Sequence, residues 1–293
     1  MTLVRTYDAA TAERSAIYHV WSLLRFPQLV WANRFMVQNF LRRDLMARVN
    51  GSVLGIGWIL LQPMFMFAIY WLVFGYFLKK GEGAPSAEFA LFMFTGVITF
   101  HALNEATSQA CAIIVDNGNL VKKVAFPAEV LLVHVALVSL VIYLTGALVA
   151  FIGGLVTGLG QPGWYLAALP LVLLVQFVMT LGLGLLLANL HVFLRDTAQI
   201  WRLAAQSWMF LSPVFWGPKD LEGKLPAAVL EWMQALNPAW PLIQVHRMVL
   251  GGTVEQFGPF WTQLGTAAAW AFGLLLVGYG LFMSRKHKYS DLI

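Results

Sequence analysis

His101 and Glu105 stand four residues apart in a long apolar run, with Asn104 beside them. Four residues is one helical turn, so an imidazole and a carboxylate would share a face. Ionisable groups in a hydrophobic segment are candidates for function, because each is costly there without a partner or a task. Three readings fit: a proton relay, half of a metal site, or a satisfied polar patch facing a bundle interior or a water-filled pore. A metal ion needs three or four ligands. No further cluster of His, Cys, Asp or Glu lies within sequence reach, so no metal is expected. His134 and His191 fall near the ends of other apolar runs and read as interfacial residues. Aromatic and amide groups offer a second chemistry, the stacking and hydrogen bonding of sugar rings. Trp201, Trp208 and Phe215 recur every seven residues, a spacing that drifts only about 20° per step around a helix. Trp58, Gln62 and Phe65 also share a helical face. Ordinary helix packing gives the same spacing.

No catalytic residues are expected. A phosphate loop around Gly223-Lys224 would need Gly at 218 and Ser or Thr at 225, where the chain has Pro218 and Leu225. The string Gly158, Gly160, Gly163 joins two apolar runs rather than a strand to a helix, so it reads as a turn. There is no HExxH and no CxxC, and the one cysteine, Cys111, has no partner for a disulfide. The chain is expected to bind no cofactor. If its task needs ATP, another chain must supply it.

The surrounding elements are set by composition. Of 293 residues, 59% are hydrophobic and 11% charged, against roughly 45–50% and about 25% in soluble domains. Mean hydropathy is +0.71. A soluble enzyme, a disordered chain and a disulfide scaffold are excluded. Crossing a bilayer takes roughly 20 apolar helical residues. Runs of that kind predict an all-α polytopic membrane protein with six spans, at about Val53–Leu78, Phe89–Val115, Val130–Thr157, Trp164–Leu190, Ile200–Phe215 and Gln256–Ser284. Pro63 should kink the first. Gly158 to Gly163 should separate the third from the fourth. Residues 1–52 form an arm, 53–284 the spanning domain and 285–293 a tail.

Six spans leave both ends on one side. Fourteen of the 19 basic residues fall there, including Arg42, Arg43, Arg48, Lys122 and Lys123. The positive-inside rule therefore places both termini in the cytoplasm. It also accounts for the isoelectric point near 9.4 without a nucleic-acid partner. No h-region with a cleavage site precedes the first span, which is expected to be an uncleaved anchor. Trp31–Val49 should form a helix with Trp31, Phe35, Leu45, Met46 and Val49 on one face, lying on lipid or docking a partner. In the outer piece, 217–255, Leu225–Leu236 and Pro241–Leu250 are long enough for short helices that enter the membrane and return, too short to cross. Gly265, Ala269 and Gly273 offer a small-residue packing face.

Four segments together resemble the membrane subunits of bacterial type-2 ABC exporters for O-antigen, capsular polysaccharide and teichoic acid. They are Arg43-Asp44-Leu45 with Arg48, Gly51 to Gly55, Trp58 and Pro63; Asn119 to Pro127 with Glu129; Leu194 to Gln199 leading to Ser212-Pro213-Val214-Phe215; and Leu236-Asn237-Pro238, Pro241, Arg247 and Gly251. Val49, Ala128 and His246 depart from the common pattern. The resemblance implies a homodimer in the bacterial inner membrane, two cytoplasmic ATP-binding subunits that carry ATP and Mg, and a lipid-linked polysaccharide as substrate. Periplasmic or outer-membrane components could complete the export route. It implies that Trp31–Val49 is the interface helix. Asn119, Phe126, Pro127 and Glu129 belong to the coupling segment. Arg42, Arg43, Arg48, Lys122 and Lys123 would meet a phosphate headgroup or the ATPase. Spans one and five would line the channel, making Trp58, Gln62, Phe65, Trp201, Trp208 and Phe215 a sugar track, with the two short outer helices as a gate. An exporter of another substrate, or a proton-coupled carrier using His101 and Glu105, stands as the alternative.

Overall fold

The computed structural model describes residues 22–48, 50–51, 53–55, 57–77, 87–123, 127–158, 163–217, 220–221, 223–251 and 258–293. Phe126, Val49 and the turn residues 159–162 lie outside them, as does the side chain of Lys123. The regular secondary structure of the described residues is all helical, without a β-strand. In chain order the helices are α1 (Phe26–Ala32), α2 (Arg34–Ala47), α3 (Gly57–Tyr70), α4 (Ala87–Asp116), α5 (Gly118–Lys123), α6 (Glu129–Thr157), α7 (Leu169–Phe193), α8 (Thr197–Leu211), α9 (Ala227–Leu236), α10 (Ala239–Val249), α11 (Phe260–Arg285) and α12 (Tyr289–Leu292).

Five stretches are long and apolar enough to cross a membrane: Gly57–Phe77, Glu88–Asp116, Glu129–Thr157, Trp164–Phe193 and Phe260–Leu292. They correspond to five of the six expected spans. The remaining one, Ile200–Phe215, is the 15-residue α8, which stops at Leu211. At 1.5 Å per residue it covers about 22 Å, short of the roughly 30 Å hydrocarbon core. Pro213 explains the early stop, because Ser212 before it takes an extended backbone. Pro63 lies inside α3 without ending it, and the helix runs on as a π-helical stretch over Trp71–Phe77. Gly158 ends α6 at φ +70°, the left-handed cap that glycine accepts without strain.

The N-terminal helix is two helices. Pro27 opens α1, and Asn33 ends it by donating its side-chain amide to Leu29 O at 2.8 Å. The expected apolar face is the outer one: Trp31, Phe35 and Met46 are exposed, whereas Phe26, Leu29 and Val37 are buried. Hydrophobic periodicity cannot tell a lipid-facing stripe from a core-facing one.

Apolar packing forms two main layers. One joins α1, the C-terminal halves of α4, α7 and α11, the start of α6, and Tyr289. The other joins the first half of α4, the start of α7, Val214 and Phe215, α10 and the start of α11. Helices α7 and α11 make the closest approach. A Cβ at Gly182 would overlap the backbone of Leu274 and Leu275, and one at Gly278 would overlap the carbonyl of Gly182. The small-residue face expected at Gly265, Ala269 and Gly273 points outward instead, with open space around both glycines. All eleven residues of α10 are buried, and none of α9 is. The two short helices are therefore unequal: α10 belongs to the core and α9 rides on its surface.

Candidate substrate pathway and coupling surface

The polar patch on α4 is tied to the N-terminal helices. Arg48, at the end of α2, donates to Glu105 Oε1. His101 Nδ1 lies 3.6 Å from the other carboxylate oxygen. Asn104 accepts from Ser108 Oγ at 3.2 Å. One turn earlier on α2, Asp44 Oδ2 accepts from Gln109 Nε2 at 2.8 Å and stands 3.5 Å from His134 Nε2 on α6. Phe40 stacks on the His134 ring at 5.3 Å. His134 beside it, with help from Gln109 and Arg48, holds the Asp44 carboxyl below its ordinary value against the opposing effect of burial. Two carboxylates thus clamp α2 to α4 and α6. Sequence reading paired His101 with Glu105 but missed Arg48 as the stronger partner, since 57 residues separate the two. Among the described residues no group of three His, Cys, Asp or Glu comes together as a metal cage.

The aromatic stripe of α8 is turned into the bundle. Trp201 donates its indole N–H to Thr107 Oγ1 at 3.2 Å. Trp208 donates to Asn237 Oδ1 at 2.7 Å and meets Phe100 edge-on at 5.3 Å. Phe215 is buried, stacked on Phe74 at 4.5 Å with Tyr70 edge-on at 4.7 Å. The other side of α8 is exposed and carries Gln199, Arg202 and Gln206 with Leu203 and Phe210. The three polar residues follow an i, i+3, i+7 spacing that keeps them on one stripe. That spacing was the available signal for this face. On α3 the expected trio Trp58, Gln62 and Phe65 is exposed, and Pro63 is the one buried residue of that helix. Exposed apolar residues continue the same stripe through Ile69, Leu72 and Tyr76.

The end of α8 and the start of α10 are joined through Asn237. Its Nδ2 donates to Ser212 Oγ at 3.0 Å and to Leu211 O at 3.3 Å. Its Oδ1 accepts from Trp208 and from the Ala239 backbone N–H at 3.0 Å. Arg247, on α10, donates to Val214 O at 2.9 Å and Phe92 O at 3.1 Å, with its guanidinium 3.5 Å from the centre of the Phe92 ring. His246 Nδ1 lies 2.6 Å from Tyr143 Oη, tying the same helix to α6.

At the other end, α5 presents Asn119 and Lys122 to the outside, while Leu120 and Val121 pack on the core. Arg42 and Arg43 are exposed as well, Arg43 over the Phe40 ring at 4.9 Å. Pro127 is half-buried, and Glu129 is buried with its carboxylate 2.8 Å from Lys286 Nζ.

An apolar helical bundle with five stretches long and apolar enough to cross a membrane has the build of a multi-pass membrane protein. Residues 37–250 match the ABC-2 type transporter family, and the chain belongs to that family. It is 27% identical over 271 residues to the O-antigen export system permease protein RfbA of Myxococcus xanthus, across 92% of this chain and 100% of that protein. Two Klebsiella pneumoniae proteins of the same name align at 21% over 253 residues and 19% over 252, each across 86% of this chain and 92% of the relative.

Proposed function

We propose that this chain is the pathway-forming subunit of an ATP-driven exporter that carries a lipid-linked polysaccharide of the O-antigen kind across the bacterial inner membrane. The observation that carries this reading is the end-to-end similarity to the Myxococcus xanthus permease, on a helical frame of matching class. The chain works as a homodimer with two separate ATP-binding subunits. Both termini are cytoplasmic, α8 with the Ser212-Pro213 turn completes a sixth crossing, and α9 and α10 enter from the outer side and return.

In this mechanism the ATP-binding subunits push on α2 and α5, where Arg42, Arg43, Asn119 and Lys122 are exposed. The Asp44 and Arg48 clamps pass the displacement of α2 to α4 and α6. The substrate moves along the exposed faces of α3 and α8. There Trp58 and Phe65 offer stacking surfaces, and Gln62, Gln199 and Gln206 offer amides to sugar hydroxyls. Trp201, Trp208 and Phe215 hold α8 in place from behind. The engagement of Glu105 by Arg48 ties α2 to α4, a structural role that favours this reading over a proton carrier built on His101 and Glu105.

Deleting the coding sequence in its native host tests the reading. Surface polysaccharide should disappear while lipid-linked polymer accumulates inside, and a plasmid copy should restore export. Unchanged surface polysaccharide would refute it.

A further inference from the structure

The segment after α11 does not trail away from the bundle. Lys286 Nζ lies 2.8 Å from the buried Glu129 carboxylate at the start of α6. Tyr289 is fully buried and donates its hydroxyl to Asn189 Oδ1 on α7 at 3.0 Å. Its ring meets Phe282 edge-on at 5.3 Å and Phe193 at 6.3 Å. Arg195, two residues before α8 begins, donates to Leu292 O at 3.2 Å. Ile293 packs so closely on Gly118, the first residue of α5, that any side chain there would overlap it. The family match covers 37–250 and ends before this segment. Four elements of the same end of the bundle therefore converge on eight residues: α5, the start of α6, the end of α7, and the link into α8.

We propose that residues 286–293 are a brace that makes α5 and the start of α8 move together, with Lys286 and Tyr289 as its positioning residues. This rests on the exporter reading, in which α5 receives the push of the ATP-binding subunit and α8 borders the substrate path. A buried acid such as Glu129 is tolerated only while its cation is in place, so the tail cannot leave its seat without stranding that charge. The arrangement offers a mechanical route from α5 to α8 that does not pass through the long helices.

The test uses the whole complex of this chain with its ATP-binding subunit, in membranes, with ATP hydrolysis and polymer export measured on the same preparation. Lys286→Met and Tyr289→Phe should keep hydrolysis within about twofold of wild type and lower the export obtained per ATP at least fivefold. Lys286→Arg should restore it. A residue with a merely structural role would lower both readouts together with the amount of complex. As an independent arm, Gly118→Cys with Ile293→Cys in a Cys111→Ser background should cross-link. A Cβ at 118 lies 3.7 Å from Ile293 Cβ, within the disulfide range. The oxidised protein should export as well as the reduced one, because the joined parts move as one. Unchanged export per ATP in the point variants, or export that stops on oxidation and returns on reduction, overturns the brace. Wild-type complex that hydrolyses ATP without any export fails the exporter reading itself, and the brace falls with it.

Discussion

Trp208 gives its indole N–H to the side-chain oxygen of Asn237 at 2.7 Å, across the segment that joins α8 to the short helices α9 and α10. A tryptophan that reads in sequence as part of a sugar-stacking stripe is here a fastening. The same amide also receives the Ala239 N–H and donates to Ser212 and Leu211. Replacing Asn237 by Ala leaves several of these groups unsatisfied, at about 1–3 kcal/mol each. Trp208→Phe keeps most of the packing and frees one acceptor. Thermal unfolding of the purified protein should show a clearly larger loss for Asn237→Ala than for Trp208→Phe. Equal losses would mean the amide is not the centre of this junction.

The contact of α7 with α11 depends on Gly182 and Gly278, and no methyl group fits at either. Gly278→Ala should lower the yield of folded protein sharply, since overpacking a tight helix pair costs about 1–3 kcal/mol or more. Gly273→Ala, on the open face of α11, should leave yield unchanged. Fluorescence-detected size exclusion of tagged variants separates the two.

Asp44 makes stability depend on acid. Its carboxyl lies below the ordinary 3.8 in the folded chain, so its contribution is complete above that value. It is lost as pH falls through the lower folded value. The stability gap between wild type and Asp44→Asn should shrink as pH falls below about 4. A gap that does not shrink between about pH 4 and pH 2 contradicts the assigned clamp. Chemical denaturation at a series of pH values measures it.

The proposed substrate path makes the two faces of α8 separable. Gln206→Leu and Phe65→Ala, on exposed faces, should lower polysaccharide export several-fold while the protein accumulates normally. Trp201→Ala, whose indole bonds Thr107, should lower protein level and export in parallel. Immunoblots of surface polymer beside membrane fractions report both. Normal export in Gln206→Leu and Phe65→Ala together would remove these faces from the path.

The long elements were legible in the sequence because uncharged runs of bilayer length have few other uses. Val130–Thr157 and Trp164–Leu190 were placed to within three residues of the helices observed. Orientation was not legible. Inside a membrane the lipid-facing and protein-facing sides of a helix are equally apolar, so the Gly265 to Gly273 face of α11 reads as a packing face and lies outward. The break at Asn33 was hidden because it depends on one side-chain amide finding a carbonyl a turn away. The pairings of Arg48 with Glu105 and of Lys286 with Glu129 were hidden for a different reason, since their partners lie 57 and 157 residues distant. The four short motifs pointed to the family, but they could not say which side of α8 faces the bundle.

The central claim is that this chain forms the path through which a separate ATPase drives a lipid-linked polymer. The most direct measurement is export in vesicles reconstituted from this chain and the ATP-binding subunit encoded beside it, loaded with labelled lipid-linked polysaccharide. Polymer should appear on the far side only when both chains and hydrolysable ATP are present. Appearance without ATP under a proton gradient, or no appearance with active hydrolysis, would contradict the account.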